Sequence, residues 1–244
     1  MTWIVVGAST GLGRALSECL AQEGKSLLLV SRDPRDLNSL ASDLRIRFEA
    51  EVSCVCYDAE DHVGLANLLG GSIADGNSVE GIMFPIGYVE AGDRCDLSSI
   101  DSERLVKVNF LSIVSVISKF LPGMIEEGKG VLVGFGSIAG TRGRAGNAVY
   151  SATKRALQSY FESLRHRCER NGLLIQFYIL GYMDSNLAFG QNLLLPKADP
   201  GQIAKSIIAN LRKGGGTRFL PAFWKSICLL VRAIPWFIFK RMQF

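Results

Sequence analysis

Tyr150 and Lys154 stand four residues apart in a stretch, Ala148–Asn171, whose apolar residues recur at helical spacing. On a helix the phenol and the ammonium share one face. A phenol with a reference pKa of about 10 is a poor acid–base group near neutrality. A neighbouring ammonium favours the phenolate, so this pairing predicts a lowered value and a residue able to exchange a proton with a reacting oxygen. Upstream, Ser137 follows an apolar run within Gly136-Ser137-Ile138-Ala139-Gly140, where a hydroxyl can donate to a carbonyl oxygen that is gaining charge. Asn109, in Val108-Asn109-Phe110, is a polar residue inside a long apolar helical segment. Each has an ordinary structural explanation: a surface pair, a turn serine, a packing asparagine. Their order behind the first motif of the chain argues for a site instead.

That motif is a glycine-rich turn. Val5-Val6 runs into Gly7-Ala8-Ser9-Thr10-Gly11-Leu12-Gly13, and Arg14-Ala15-Leu16 continues as a helix. Glycines serve such a turn by allowing the sharp bend, the close approach of a pyrophosphate, and the packing of helix on strand. The helix N-terminus then offers its amides to the anion, which points to dinucleotide binding rather than plain strand–helix packing. The spacing is G-x-x-x-G-x-G. At the end of the second apolar run, Ser31-Arg32 stand where a carboxylate would meet a ribose 2′-hydroxyl. A serine and an arginine suit a 2′-phosphate, with Arg14 as a second cation, so NADP(H) is expected over NAD. The alternative is a solvated Arg32 paired with Asp33.

These residues need a scaffold that gathers them. Short β-branched runs (Trp3–Val6, Ser26–Val30, Val52–Tyr57, Gly81–Phe84, Gly130–Phe135, Leu173–Ile179 and Thr217–Leu220) alternate with helical patterns at Leu12–Gln22, Pro34–Phe48, Ser102–Glu127 and Ala148–Asn171. The alternation predicts an α/β fold, a doubly wound parallel sheet with helices on both faces and ligands bound beyond the strand ends. At 244 residues, 48% hydrophobic and 20% charged, the chain suits one such domain and excludes a disordered one. The six cysteines form no C-x-x-C pair and the two histidines have no ligand-spaced neighbours, so neither a metal site nor a disulfide framework is expected. No basic-then-apolar leader opens the sequence, and a reduced, cytoplasmic protein is the expectation.

The residues so assembled resemble the short-chain dehydrogenase/reductase family over nearly the whole chain. The likeness implies a single Rossmann-type catalytic domain, placed here at residues 1–218. Gly7, Gly11 and Gly13 match the family's glycine motif, with Ser9, Thr10 and Leu12 between them. Asn109, Ser137, Tyr150 and Lys154 match its catalytic tetrad, and Asp58 matches its adenine-contacting aspartate. The resemblance implies that Tyr150 is the proton donor and Ser137 orients a carbonyl. Lys154 would hold the nicotinamide ribose and tune Tyr150, and Asn109 would support a water relay. Leu180-Gly181-Tyr182-Met183-Asp184-Ser185 stands for the family's Pro-Gly-x-x-x-Thr, which implies cofactor contacts from Gly181, Met183 and Ser185. After the fourth strand the family's Asn-Asn-Ala-Gly is Phe84-Pro85-Ile86-Gly87 here, and only Gly87 is kept. Polar contacts near the adenosine must be replaced or lost.

Net charge is +4, yet residues from Pro200 onward carry eight basic side chains and no acidic one, leaving −4 on the first 199. The weakly acidic body argues against a nucleic-acid binder. A helix is expected from about Asp199 to Arg212, followed at 219–244 by a basic, apolar, amphipathic tail that Pro235 divides into two short helical pieces. Its Trp224, Trp236, Phe237, Phe239 and Phe244, with cations between them, fit a peripheral contact on a membrane surface; the alternative is a subunit interface in a homo-oligomer. The tail also resembles that of bacterial reductases acting on polyprenyl-phosphoryl keto-sugars. The expected activity is hydride transfer between NADP(H) and a carbonyl or secondary alcohol, small or lipid-linked. Two other readings are a non-catalytic NADP(H)-binding regulator, motivated by Phe84-Pro85-Ile86, and epimerase or dehydratase chemistry, disfavoured by the chain's length.

Overall fold

A computed structural model describes residues 1–72, 78–90, 93, 101–184 and 197–242. The apolar runs form seven strands: β1 Thr2–Val6, β2 Ser26–Ser31, β3 Val52–Cys56, β4 Val79–Phe84, β5 Val131–Ser137, β6 Leu174–Leu180 and β7 Gly216–Leu220. They pair in parallel, in the order β3-β2-β1-β4-β5-β6-β7. The connecting helices are α1 Gly11–Gln22, α2 Pro34–Phe48, α3 His62–Ser72, α4 Ser102–Val106, α5 Ser112–Glu127, α6 Ala148–Cys168 and α7 Pro200–Asn210.

Strand side chains alternate between two cores. Trp3 and Val5 of β1 pack with α1, α2 and α7, while Ile4 and Val6 pack with α3, α5 and α6. Because both faces are covered, the strands read as unbroken apolar runs rather than as apolar–polar alternation. Strand order reverses between β1 and β4. The helices following these two strands leave on opposite faces, which opens a crevice above their C-terminal ends. The doubly wound α/β arrangement expected from the sequence is the one observed.

Two departures matter for the site. The segment read as one helix, Ser102–Glu127, is α4, a π-helical turn at Lys107–Leu111, and α5. The wider turn falls on Asn109, whose side chain leaves the helix to bond a neighbouring loop. Helix α3 was not anticipated, since Gly64, Gly70 and Gly71 dilute its helical signal; it is held by burial of Leu65, Ala66 and Leu69. Beyond β7, α8 covers Trp224–Ala233 and α9 covers Trp236–Phe239, with Pro235 between them.

Candidate active site

A cleft of about 550 Å³ lies over the C-terminal ends of the central strands, with Gly7, Ser31, Gly87, Ser137 and Gly181 at its wall. Its floor begins where β1 turns. Gly7 takes φ +93° and Gly11 φ +50°, values that strain any residue with a Cβ. A Cβ on Gly7 would lie 2.7 Å from the Ile86 Cα, and one on Gly13 would lie 1.9 Å from the Gly7 carbonyl oxygen. Gly13 therefore allows α1 to sit directly on the turn and is itself buried beneath it rather than lining the cleft. Thr10 stands at the start of α1 without a side-chain cap, and no acidic residue occupies the first turn. The cleft thus meets a helix N-terminus whose amides are left for an anion. Ser9 and Leu12 complete this wall, and Ser9 Oγ is 2.7 Å from Ser31 Oγ.

Arg32 lines the outer end of the cleft and is largely exposed. It does not pair with Asp33, which instead caps α2 by accepting from the Arg35 amide at 2.9 Å. Its Nη1 lies 3.8 Å from Asp58 Oδ2, a loose contact at an exposed position. Arg14, expected as a second cation, is exposed on α1 and is not among the lining residues. Arg104 was not singled out from sequence, yet it lines the cleft, with Nη2 4.0 Å from Asp58 and Nε 3.3 Å from Glu60.

The reacting end gathers three of the four tetrad residues. Ser137 ends β5, and its Oγ accepts from the Ala139 amide at 3.1 Å and lies close enough to the Tyr150 hydroxyl to act on its pKa. Lys154 lies one turn along α6 and is buried. Its Nζ donates to the Phe135 carbonyl at 3.3 Å and the Ile86 carbonyl at 3.5 Å, and sits 5.8 Å from the centre of the Tyr150 ring. The expected lowering of the Tyr150 pKa is not what this geometry gives. Burial pushes the phenol above its ordinary value, and the Ser137 hydroxyl offsets only part of the rise. Burial also brings Lys154 down to about 8. Helical spacing gave the proximity correctly, but it says nothing about depth, and desolvation of both groups outweighs their mutual effect.

Asn109 is fully buried and does not line the cleft. Its Oδ1 accepts from the Tyr88 amide at 2.9 Å and its Nδ2 donates to the Tyr88 carbonyl at 2.8 Å. The side chain is thereby committed to holding the loop after β4. This supplies polar contacts where the family's asparagines are missing, while Phe84 itself joins the core against Phe161. Gly181 and Met183 line the cleft; Ser185 lies outside the described residues.

A residue the sequence gave no reason to choose fixes the start of α6. Asn147 precedes the helix without capping it. Asp93, 2% exposed and more than fifty residues upstream, supplies the cap: its carboxylate accepts from the amides of Val149 at 2.9 Å and Tyr150 at 2.8 Å. The carboxylate also complements the positive end of the helix. Tyr150 is therefore held by its backbone.

A family model described as short chain dehydrogenase matches residues 1–192. The chain is 26% identical over 214 residues to the very-long-chain 3-oxoacyl-CoA reductase of Homo sapiens, covering 84% of this chain and 66% of that one. It is 29% identical over 220 residues to the protein of the same name from Podospora anserina, covering 86% and 63%. It thus spans just under two thirds of each relative. Among solved structures, a short-chain dehydrogenase from Sphingobium yanoikuyae in complex with NADPH superposes with a TM-score of 0.82 at 21% identity, covering 96% of both chains.

Replacing Asp93 with Ala leaves two partly buried amides of α6 without an acceptor and is expected to cost about 1–2 kcal/mol. Asp93→Asn keeps one acceptor oxygen and should recover roughly half of that loss. Urea unfolding of the three proteins measures both, and equal stability of all three would remove Asp93 from the description of the site.

Proposed function

The chain belongs to the short-chain dehydrogenase family and is an oxidoreductase of that family; on that premise we propose that it reduces the carbonyl of an amphipathic substrate with NADPH. The neighbouring Ser137 and Tyr150 hydroxyls, facing a cleft floored by an uncapped helix N-terminus, carry this reading. The residues fit a nicotinamide dinucleotide. Gly7 and Gly13 leave no room for a Cβ, the amides of α1 suit a pyrophosphate, and Arg32 stands at the end of β2 as a cation for a 2′-phosphate. When bound, the nicotinamide supplies the hydride.

The chain's own groups handle the oxygen. Ser137, free to turn its hydroxyl, donates to the substrate carbonyl and stabilises charge gathering there. Tyr150 then protonates that oxygen. Its raised pKa keeps the phenol neutral at physiological pH, the form a proton donor needs. Because an alkoxide is a far stronger base than a phenolate, the transfer remains favourable in spite of that rise. The buried ammonium of Lys154 beside the ring stabilises the phenolate left behind. Burial thus favours reduction over oxidation, which would require a phenolate at the start. Asn109 and Asp93 keep the loop after β4 and the start of α6 in place, and we assign Asn109 this positioning role in preference to a direct one.

The substrate class rests on two similarities. The relatives named as very-long-chain 3-oxoacyl-CoA reductases suggest a ketone on a long acyl chain. The pattern of residues 219–244 suggests a lipid-linked keto-sugar. Both are carbonyls on an apolar chain, and Tyr182 and Met183 give the cleft an apolar side. The proposed location is the cytoplasm, at a membrane surface.

Tyr150→Phe should lower kcat by roughly two to four orders of magnitude, the usual worth of a positioned proton donor, with NADPH affinity unchanged. Full turnover by the variant would refute the assignment, and NADPH binding without consumption by any carbonyl in the wild-type protein would favour a regulator. Arg32→Ala is expected to weaken NADPH by about tenfold or more and NADH by less than twofold, as titration of nicotinamide fluorescence would show. Equal losses would mean that Arg32 meets no 2′-phosphate. For pH, Lys154 is charged below about 8 and neutral above it. The kcat/KM for reduction, which reports the free enzyme, should hold steady below that value and fall above it. Lys154→Met should abolish this inflection, and an unchanged profile in the variant would assign it to another group.

A further inference from the structure

Helices α8 and α9 carry a row of apolar side chains on the outside of the molecule. Leu229 and Leu230 on α8, and Trp236, Phe237 and Ile238 on α9, are all exposed, with Leu230 at 69%, Trp236 at 67% and Phe237 at 64%. Single exposed apolar residues need no explanation, but five within ten residues do. Exposed cations border them: Lys225 and Arg232 on α8, Lys240 and Arg241 after α9.

This surface is fixed to the body. Trp224 and Cys228 form the inner face of α8 and are both 5% exposed. Arg142 donates to the carbonyls of Val231 at 2.8 Å and Ile234 at 2.5 Å, closing the end of α8, and its guanidinium lies 3.8 Å from the centre of the Phe239 ring. Thr141 Oγ1 donates to Cys228 Sγ at 3.1 Å. Thr141 ends the short helical turn Ile138–Thr141 that starts beside Ser137, and Arg142 follows it. On the other side, Trp224 packs edge-on against Tyr182, which lines the cleft, and meets Gly181 so closely that a Cβ there would lie 1.9 Å from its Nε1. The exposed row is therefore attached to both the Ser137 wall and the β6 wall of the cleft.

We propose that α8 and α9 form a docking surface for an anionic lipid bilayer, seated so that the substrate end of the cleft adjoins the lipid. The ten residues of α8 span about 15 Å, half the hydrocarbon thickness, so the pair lies on the bilayer and does not cross it. Aromatic and leucine side chains enter the acyl boundary while the cations meet anionic headgroups. Charge selects lipid over a second copy of the chain. A two-fold contact would set this cationic surface against itself, and residues 200–244 contain no acidic side chain to answer it. Docking does not depend on the reductase reading. Delivery of a membrane-borne substrate does rest on it, and separate readouts distinguish the two.

The test is co-sedimentation of the full chain with vesicles of phosphatidylglycerol and phosphatidylcholine in equal parts, against phosphatidylcholine alone, with sedimentation velocity to monitor self-association. The wild-type protein should pellet with the anionic vesicles and stay in solution with the neutral ones. Lys225→Gln/Arg232→Gln should weaken partitioning about thirtyfold, from the usual worth of two juxtamembrane cations. Leu230→Asp/Trp236→Asp should abolish it. NADPH consumption with a small soluble ketone should be the same in all three proteins, which shows that the cleft is intact; loss of that activity in the wild-type protein as well would fail the reductase reading and leave the docking result standing. Pelleting that ignores anionic lipid, or that survives the double aspartate substitution, overturns the proposal. So does a wild-type dimer that binds no vesicle and that Leu230→Asp/Trp236→Asp dissociates, which would assign the surface to a second copy.

Discussion

A lysine taken out of water with two carbonyl oxygens as its hydrogen-bond acceptors is the constraint around which the site is arranged. Lys154 is 5% exposed, and the ammonium reaches Phe135 near the end of β5 and Ile86 in the loop after β4. Burying a charge costs several kcal/mol unless polar groups replace its hydration. Here the replacements come from two neighbouring strand ends, so the strands must be in register before the lysine can be accommodated. Incomplete repayment is visible in the fall of its pKa to about 8. The same depth that penalises the ammonium holds the Tyr150 phenol neutral, and the site's acid–base character follows from that shared burial rather than from attraction between the pair.

The loop after β4 is the point on which these demands converge. Ile86 backs the turn at Gly7 and offers its carbonyl to Lys154; Tyr88 is clamped by Asn109 and lies under the Arg104 guanidinium; Asp93, farther on, caps α6 at Tyr150. The loss of the family's asparagines in Phe84-Pro85-Ile86 is therefore met from outside the strand. Phe84 adds to the core what a polar residue would have held by hydrogen bonds, and the π-helical turn at Lys107–Leu111 presents Asn109 to the loop. A wider helical turn costs regular hydrogen bonding, and such turns persist where a side chain has a specific task.

What could be read from the sequence follows the range of the interactions involved. The seven strands and α1, α2 and α6 were legible because each is specified by its own apolar pattern and by turn residues next to it. The glycine turn was legible for the same reason, and the nearness of Ser137, Tyr150 and Lys154 through their order along the chain, whereas Asn109 turned away from the cleft to hold Tyr88. Helix α3 was hidden by three glycines, and the interruption at Asn109 by the apolar residues around it. Asp93 had no local signal at all, since its meaning lies in two amides more than fifty residues away. The direction of the Tyr150 shift was misread because spacing along a helix gives adjacency but not depth, and depth decides the balance.

Gly181 illustrates how one position can answer two demands. Family resemblance assigns it to the cofactor, and it does line the cleft. Yet the indole of Trp224 occupies the space where its Cβ would stand, and its amide donates to the Leu220 carbonyl at 2.9 Å, tying β6 to the end of β7. An alanine here would have to displace either the cleft wall or the helix behind it. The absence of a side chain thus joins the inner face of α8 to the cleft at van der Waals distance. With the guanidinium of Arg142 closing the far end of α8, the exposed row on α8 and α9 is held at two points, each within a few residues of a group that lines the site. A flexible arm could bind a surface without orienting the body behind it, whereas a segment fastened at both ends transmits its orientation to the cleft.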